Sequence, residues 1–447
     1  MTRQSHIFHR NARSTPPRAS HGEGVWIIGQ DGRRYLDACG GAAVSCLGHG
    51  DPDVLAAINA QASALAYAHT SFFTTDAAED LADHLIESAP HGLERVYFVC
   101  DGSEAIETAL KMAHQYHRER GEASRQQVIA RHQSYHGNTL GALSAGGNAW
   151  RRAVYGGLML PGTSHVDPCW AYRFQMPDES DSAYGARAAA TLEAEILRLG
   201  PENVSCFLAE TVVGATLGCV AAAPGYFRAV REICDRYGVL LILDEVMCGM
   251  GRTGTLHALE AEGIVPDILA VAKGLGAGYV PLGAVLCSGA VFEAFAQGTG
   301  AFMHGHTFVG HPVAAASALA VQRAIRDRGL LANVQTRGAQ LKDALNAQLG
   351  AHPHVGDIRG RGLFLALELV ADRDTKQAFD PSVRLNQSLK NAAFEEGLLL
   401  YTMGGTIDGR NGDHLVLAPP YTVTASEVDE ITHRLKAALE SVLPCSG

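Results

Sequence analysis

Two residue types that do chemistry stand at the ends of two apolar runs. Val239-Leu240-Leu241-Ile242-Leu243 leads straight into Asp244 and Glu245, and Ile268-Leu269-Ala270-Val271-Ala272 delivers Lys273. A glycine-rich turn, Gly249-Met250-Gly251-Arg252-Thr253-Gly254, lies between them, and Gly274-Leu275-Gly276-Ala277-Gly278 follows the lysine. A short apolar run bounded by turn residues reads as a buried strand of a parallel sheet. Ligands bind at the carboxyl ends of such strands. An acid and an amine are therefore both expected where chemistry is done.

Three chemistries use such a pair. The first is an ion pair that closes the sheet. The second is a nucleotide site, since an apolar strand ending in Asp-Glu and a G-x-G-x-x-G turn both occur in nucleotide-binding folds. No G-x-x-x-x-G-K-[ST] is present, however, and no strand ending in an acid lies about 20 residues beyond the glycine turn; Ile264-Val265 runs into Pro266 instead. The third is pyridoxal phosphate, in which a lysine forms a Schiff base and an acid partners the pyridine nitrogen. This reading uses both residues and requires a phosphate cradle elsewhere.

A candidate cradle occurs upstream. Val96-Tyr97-Phe98-Val99-Cys100 reads as a strand, Asp101-Gly102-Ser103-Glu104 as a turn, and Ala105 to Arg118 as a helix. Such a turn leaves unpaired N–H groups and the positive end of the helix dipole facing outward, where a phosphate fits. Ser103 could alternatively cap the helix. Val128-Ile129-Ala130-Arg131 is a further strand, leading to Tyr135-His136, an aromatic pair that can stack on a flat ring or simply pack. Val204 to Ala209 is a strand ending in a third acid, Glu210.

Composition narrows the class. The 447 residues exceed one ordinary core, so two domains are expected. Apolar residues at 47% and charged residues at 19% are ordinary for a soluble globular enzyme. The 49 glycines exceed average usage and predict many tight turns. A net charge of −11 gives no electrostatic footprint for nucleic acid or an anionic membrane. No apolar run approaches the about 20 residues of a membrane helix, and the polar Met1 to His6 lacks the apolar core of a signal peptide. The ten cysteines form no C-x-x-C pair, which predicts free thiols and a cytoplasmic location. The 20 histidines show no metal-ligand spacing, so no metal is expected.

The remaining elements follow from pattern. Residues 1 to about 20 read as an irregular arm. Val25 to Ile28 and Arg34 to Asp37 flank Asp31-Gly32 as a hairpin. Ala56 to Leu65 is helical, and Phe72-Phe73 reads as half-buried packing in a polar loop or as a pocket wall. A helical stretch carries Trp150, residues 156 to 182 form a long loop, and Ser182 to Leu199 and Tyr226 to Tyr237 are helices. These alternating units make an α/β, doubly wound, mostly parallel sheet. Ala314 to Asp327 is a long helix bridging to a smaller α+β part: Leu330 to Leu349 helical, two strands about Gly360-Arg361-Gly362, helix Leu385 to Glu396, strand Leu398 to Tyr401, and closing helix Glu427 to Leu443. The expected division is an N-terminal arm with part of the small domain over 1–60, a large domain over 61–325, and a small C-terminal domain over 326–447.

Gly102-Ser103-Glu104-Ala105, Tyr135-His136-Gly137, Glu210, Asp244-Glu245-Val246, Gly249-x-Gly251-Arg252-Thr253-Gly254, Lys273-Gly274 and His306-Thr307-Phe308-x-Gly310-His311-Pro312 occur in that order. Together, from about residue 22 to the C-terminus, they resemble the class III pyridoxal-phosphate aminotransferases of fold type I, closest in pattern to ω-amino acid and amine:pyruvate transaminases. The resemblance implies that Lys273 holds the cofactor and shuttles the proton, and that Asp244 bonds the pyridinium nitrogen. It implies that Gly102 and Ser103 hold the phosphate, that Tyr135 and Val246 cover the two ring faces beside His136, and that Glu210 supports the ring hydroxyl side. It also implies that Thr307 reaches the phosphate of a neighbouring subunit in a homodimer, or a tetramer built as a dimer of dimers. A depressed lysine pKa is expected, because the amine must be neutral to react.

The substrates implied are an amine donor and a 2-oxo acid, pyruvate in the first instance, in a ping-pong reaction. Met247 stands where many members carry glutamine, which leans towards ω-amino acids and amines. Ala43 stands where amine transaminases often carry a large aromatic, so a roomier pocket is expected. Phe72, Phe73 and Trp150 match pocket-lining positions. No substrate-clamping arginine is obvious; Tyr401 lies near its place, and Arg410, in the loop Gly404 to Asp413, is the substitute candidate beside a solvent-exposed reading. The same residues would also serve a decarboxylase, an aminomutase or a phospho-lyase, since the cofactor carries the chemistry. A nucleotide-binding enzyme remains the alternative of another class.

Overall fold

The structure is a computed structural model, and it describes residues 5–444. The first four residues of the expected arm and signal-peptide reading, and Cys445, lie outside the described residues. Seven strands form the main sheet: β1 (Leu93–Val99), β2 (Gln127–Arg131), β3 (Thr163–Val166), β4 (Val204–Glu210), β5 (Leu240–Asp244), β6 (Ile268–Val271) and β7 (Gly283–Ser288). Their order across the sheet is β1-β7-β6-β5-β4-β2-β3. β7 runs antiparallel to both its neighbours, and the other pairings are parallel.

The continuous apolar character of β5 has a direct cause. Leu241 and Leu243 face one side and pack with Leu192, Ile196, Phe227 and Val230 of the helices Asp181–Leu199 and Tyr226–Tyr237. Leu240 and Ile242 face the other side and pack with Ile106 and Ala109 of the helix Gly102–Glu119. A strand covered on both faces has no position for a polar residue. Each of these leucines and isoleucines contributes about 1.5–3 kcal/mol on burial.

Two strands escape the apolar-run criterion. β3, Thr-Ser-His-Val, lies within the stretch read as a long loop. It pairs only with β2 at the sheet edge, where its half-buried positions tolerate polar residues. β7 begins at Gly283, where a Cβ would come within 2.5 Å of the Asp101 carbonyl oxygen, so its first residue must be small.

A second, antiparallel sheet joins Val355–Arg361, Phe364–Leu369, Asp413–Leu417 and Tyr401–Gly404. Leu341, Leu345, Leu389, Ile431 and Leu435, from three helices, share its core. The expected strand Leu398 to Tyr401 is two strands. Leu398–Leu399 pairs in parallel with Arg34–Asp37 and so ties the N-terminal hairpin to this body, while Tyr401 opens the next strand in the other sheet. Ala19–Glu23 adds a strand to that hairpin, so the irregular arm ends before it. The helix Pro312–Asp327 gives Ala314, Ala315, Ala318 and Leu319 to the main core and Val321, Ala324 and Ile325 to the second, which makes it the bridge.

The nine cysteines among the described residues are free. Among those residues no helix is long and apolar enough to cross a membrane, and no His/Cys/Asp/Glu group is arranged to hold a metal.

Candidate active site

The carboxyl ends of β4, β5 and β6 assemble three charged groups. Asp244 and Glu210 are register partners at the last positions of β5 and β4. Lys273 opens a single helical turn, Lys273–Leu275, two residues beyond the end of β6. Its φ of +44° is unusual for a residue with a side chain, and such a conformation persists only when the surroundings hold it. They do: Gln322 Nε2, from the bridging helix, donates to the carbonyls of Gly274 at 3.0 Å and Leu275 at 2.9 Å.

The three groups have different environments. Asp244 Oδ2 accepts from His136 Nδ1 at 2.8 Å, and Oδ1 accepts from Val246 N at 2.9 Å. His136 is buried, and its Nε2 has no partner among the described residues. Glu210 accepts from Tyr135 N at 3.0 Å and Gly214 N at 2.9 Å, so its carboxylate ties two loops to the sheet edge. Burial raises its pKa, Asp244 adds to the rise, and His136 opposes it. Lys273 Nζ has neither hydrogen-bond nor ion-pair partner among the described residues. Burial lowers its pKa against the pull of Asp244 and Glu210.

A cavity of about 390 Å³ joins these groups to the helix Gly102–Glu119. That helix begins earlier than the apolar pattern predicts, because Asp101 caps it by accepting from Glu104 N at 2.9 Å. Ser103 is therefore not the cap, and its Oγ accepts from Asn138 N at 3.2 Å. Gly102 is held against the strand-end loop: a Cβ there would lie 2.6 Å from Val246 Cγ1. Tyr135, His136, Val246 and Met247 also line the cavity.

None of the six expected substrate-pocket residues lines this cavity within the chain. Phe72 and Phe73 are 78% and 69% exposed, and Trp150 is 64% exposed. The phenylalanines are exposed rather than half-buried, although Tyr67 before them packs against Phe308 and His311. Ala43 is buried with Met247, Cys248 and Phe364, while its neighbour Val44 reaches the cavity wall. Arg410 is exposed at a loop tip, where its charge helps lower the pKa of Asp380 after the bonds from Ser382. Tyr401 and Tyr135 pack against the same apolar group as Ala43. Thr307 is exposed outside the cavity of its own chain, its carbonyl accepting from Tyr67 Oη at 2.8 Å.

Two residues beside the site carry only a weak local signal. Gln322 sits within an otherwise apolar helix face and is legible only as a buried polar residue. Arg151 lies over the Tyr135 ring, 4.5 Å from its centroid; the adjacent Arg151-Arg152 pair was its one sequence cue.

Known proteins place this geometry. Residues 7–439 match the family Aminotransferase class-III. An aminotransferase of Schizosaccharomyces pombe is 44% identical over 99% of this chain and 96% of its own. The diaminobutyrate–2-oxoglutarate transaminase of Halomonas elongata is 35% identical over 94% of this chain and 89% of its own. The ω-transaminase of Pseudomonas jessenii, solved in complex with PMP, superposes with a TM-score of 0.92 at 33% identity, covering 100% of this chain and 98% of that one. The chain belongs to the class III aminotransferases, a pyridoxal-phosphate-dependent family, and is a transaminase of that kind.

Proposed function

We propose that the chain binds pyridoxal phosphate in the Asp244–Lys273 cavity. There it moves an amino group from an ω-amino acid or amine to pyruvate in two half-reactions. One observation carries the reading: a buried, already bonded carboxylate and a half-buried lysine with no partner among the described residues share one cavity.

The residues present fit the cofactor. A carboxylate has about four acceptor sites, and Asp244 uses two, which leaves capacity for a ring N–H. The first turn of the helix at Gly102 and Ser103 offers N–H groups and a positive dipole end suited to a phosphate. Gly102 admits the close approach of Val246, and Gly137 that of Ser103, whose Cα a Cβ would meet at 2.8 Å.

When bound, pyridoxal phosphate supplies an electron sink for the carbon that loses its proton. The carboxylate of Asp244 favours a proton on the ring nitrogen. His136 Nδ1 donates to that carboxylate and orients it. Glu210 holds the Tyr135 backbone, so that the tyrosine and Val246 flank the ring. Lys273, whose pKa burial lowers, takes the proton at Nζ and returns it. Thr307, exposed on its own chain, serves the phosphate of a second subunit in a homodimer.

The apolar Met247 in the cavity wall and the ω-transaminase named among the structural neighbours support the amine or ω-amino acid donor. The acceptor in the name of the Halomonas relative, 2-oxoglutarate, is the second reading. The test is the visible absorption of the purified protein with a panel of amines, and then with each oxo acid. A yellow band that is lost in Lys273→Ala, bleached by donors and restored by pyruvate is expected. A protein that stays colourless with added pyridoxal phosphate refutes the reading, and restoration by 2-oxoglutarate alone refutes the acceptor.

A further inference from the structure

The class III chemistry needs a receptor for the carboxylate of a 2-oxo acid, and Arg410 lies at an exposed loop tip. Two other arginines near the sheet edge, Arg131 and Arg252, are committed to backbone carbonyls. Arg131 is buried and donates to the Glu210 carbonyl. Arg252 is buried, lies over the Tyr421 ring and donates to the carbonyls of Leu363 and Pro419. Arg152, like Arg151, has a buried Nε without a hydrogen-bond partner among the described residues, but it lies over no cavity-lining ring, and its charge adds to the burial that pushes the pKa of His165 down to about 4.

Arg151 differs. Its guanidinium lies 4.5 Å from the centroid of Tyr135, a residue that lines the cavity. Its Nε is buried with no hydrogen-bond partner, and no carboxylate among the described residues pairs with it. The segment that carries it is bolted down. Asn148 caps the turn by accepting from Arg151 N at 3.1 Å and donates to Gln133 Oε1 at 3.2 Å. Gln133 in turn donates to the carbonyls of Gly405 at 2.7 Å and Thr406 at 2.9 Å. A Cβ on Gly409 would stand 2.9 Å from Trp150 N, so the Gly404 to Asp413 loop presses on this turn from the other side. Burial raises the pKa of the Tyr401 phenol, and the charge of Arg151 is the first to oppose it, followed by that of Arg10. Arg151 thus stands between two tyrosines beside the cavity, with its charge uncompensated.

We infer that Arg151 is the substrate-carboxylate receptor of this transaminase, a conclusion that rests on the reading given under Proposed function. A guanidinium stacked on an aromatic ring keeps its planar fork free for a bidentate carboxylate. The prior ordering of the turn lowers the entropy lost on binding. The inference makes 2-oxo acids and amino acids the substrates that gain from this group, while simple amines gain nothing from it.

Pairs that differ only by the carboxylate provide the test. Half-reactions of the holoenzyme are followed by visible absorption with β-alanine against ethylamine, and with pyruvate against acetaldehyde. In Arg151→Gln the KM for β-alanine and pyruvate is expected to rise about 10- to 100-fold, the value of one charge-assisted pair. Ethylamine and acetaldehyde should change less than about threefold, and Arg151→Lys should recover part of the loss. Equal loss for both members of a pair would overturn the inference, since Arg151 would then only orient Tyr135. So would a wild type that prefers acetaldehyde to pyruvate, or the same selective loss in Arg410→Gln with none in Arg151→Gln. The cofactor band separates the two readings. Its presence in both variants with unselective kinetics sinks Arg151 alone, whereas its absence from the wild type sinks the cofactor assignment beneath it.

Discussion

Gly102→Ala tests whether the helix end and the strand-end loop form one fitted surface. A Cβ at residue 102 would lie 2.6 Å from Val246 Cγ1 and 3.2 Å from Cγ2. Carbon atoms in contact settle at about 3.5–4.0 Å, so Val246 or the helix end must yield by roughly 1 Å. Gly102 does not have a positive φ, which leaves sterics as the cause. Overpacking of this kind costs about 1–3 kcal/mol. The better helix propensity of alanine returns at most about 1 kcal/mol, and less in the first turn. Val246 follows Asp244 by two residues and donates to its carboxylate, so the displacement also disturbs that carboxylate. The assay is a double-mutant cycle of Gly102→Ala and Val246→Ala. It is read by denaturant unfolding of the apoprotein and by pyridoxal phosphate titration of the visible band. Gly102→Ala should weaken cofactor binding about 5- to 100-fold. In the Val246→Ala background that loss should shrink, giving a coupling energy of about 1–2 kcal/mol. Additive effects, or a Gly102→Ala protein with unchanged affinity and midpoint, would refute the steric argument and with it the claim that this glycine exists to admit Val246.

Two further outcomes follow from the lysine turn. Lys273 has a folded-state pKa below its ordinary 10.5, so between the two values the unfolded chain binds more protons and stability rises with pH. Apoprotein Lys273→Met should therefore unfold at higher denaturant than wild type at neutral pH, with the difference closing as pH approaches 10.5; a gap that is flat with pH would contradict the buried-amine argument. Gln322→Leu leaves the carbonyls of Gly274 and Leu275 without their donor, which should cost about 1–3 kcal/mol and slow the half-reaction with a carboxylate-free amine; an unaltered rate would show that the left-handed lysine does not depend on this clamp.

The grouping of the three charged residues at one sheet edge was legible because each stands at or just after the end of a run whose period and length identify a buried strand. Asp244, Glu210 and Lys273 need only residue type and strand end, and the sheet topology then brings them together. The placement of the expected pocket residues was not legible for the opposite reason. Phe72, Phe73, Trp150 and Arg410 sit in loops, where burial depends on what packs against them, and nothing in their neighbours' spacing reports that. The start of the helix at Gly102 was missed because the capping carboxylate of Asp101 extends it beyond its apolar pattern. Tyr401 was joined to Leu398–Leu399 as one strand although the chain there passes from one sheet to another, a change that hydrophobic pattern does not mark.

The site also shows how two carboxylates and an amine share one cavity without neutralising one another. Were Asp244 or Glu210 the counter-ion of Lys273, the lysine would be held protonated and could not act as a base. Instead, Glu210 commits its carboxylate to two backbone N–H groups. Asp244 commits to Val246 N and His136 and keeps lone pairs for one more donor. Their remaining effect on Lys273 is a through-space pull, and burial outweighs it. The backbone and His136 therefore occupy the acids, and burial is left to lower the pKa of the amine beside them. Breaking that division should matter more than removing bulk: His136→Phe keeps an aromatic ring but leaves Asp244 Oδ2 without its donor.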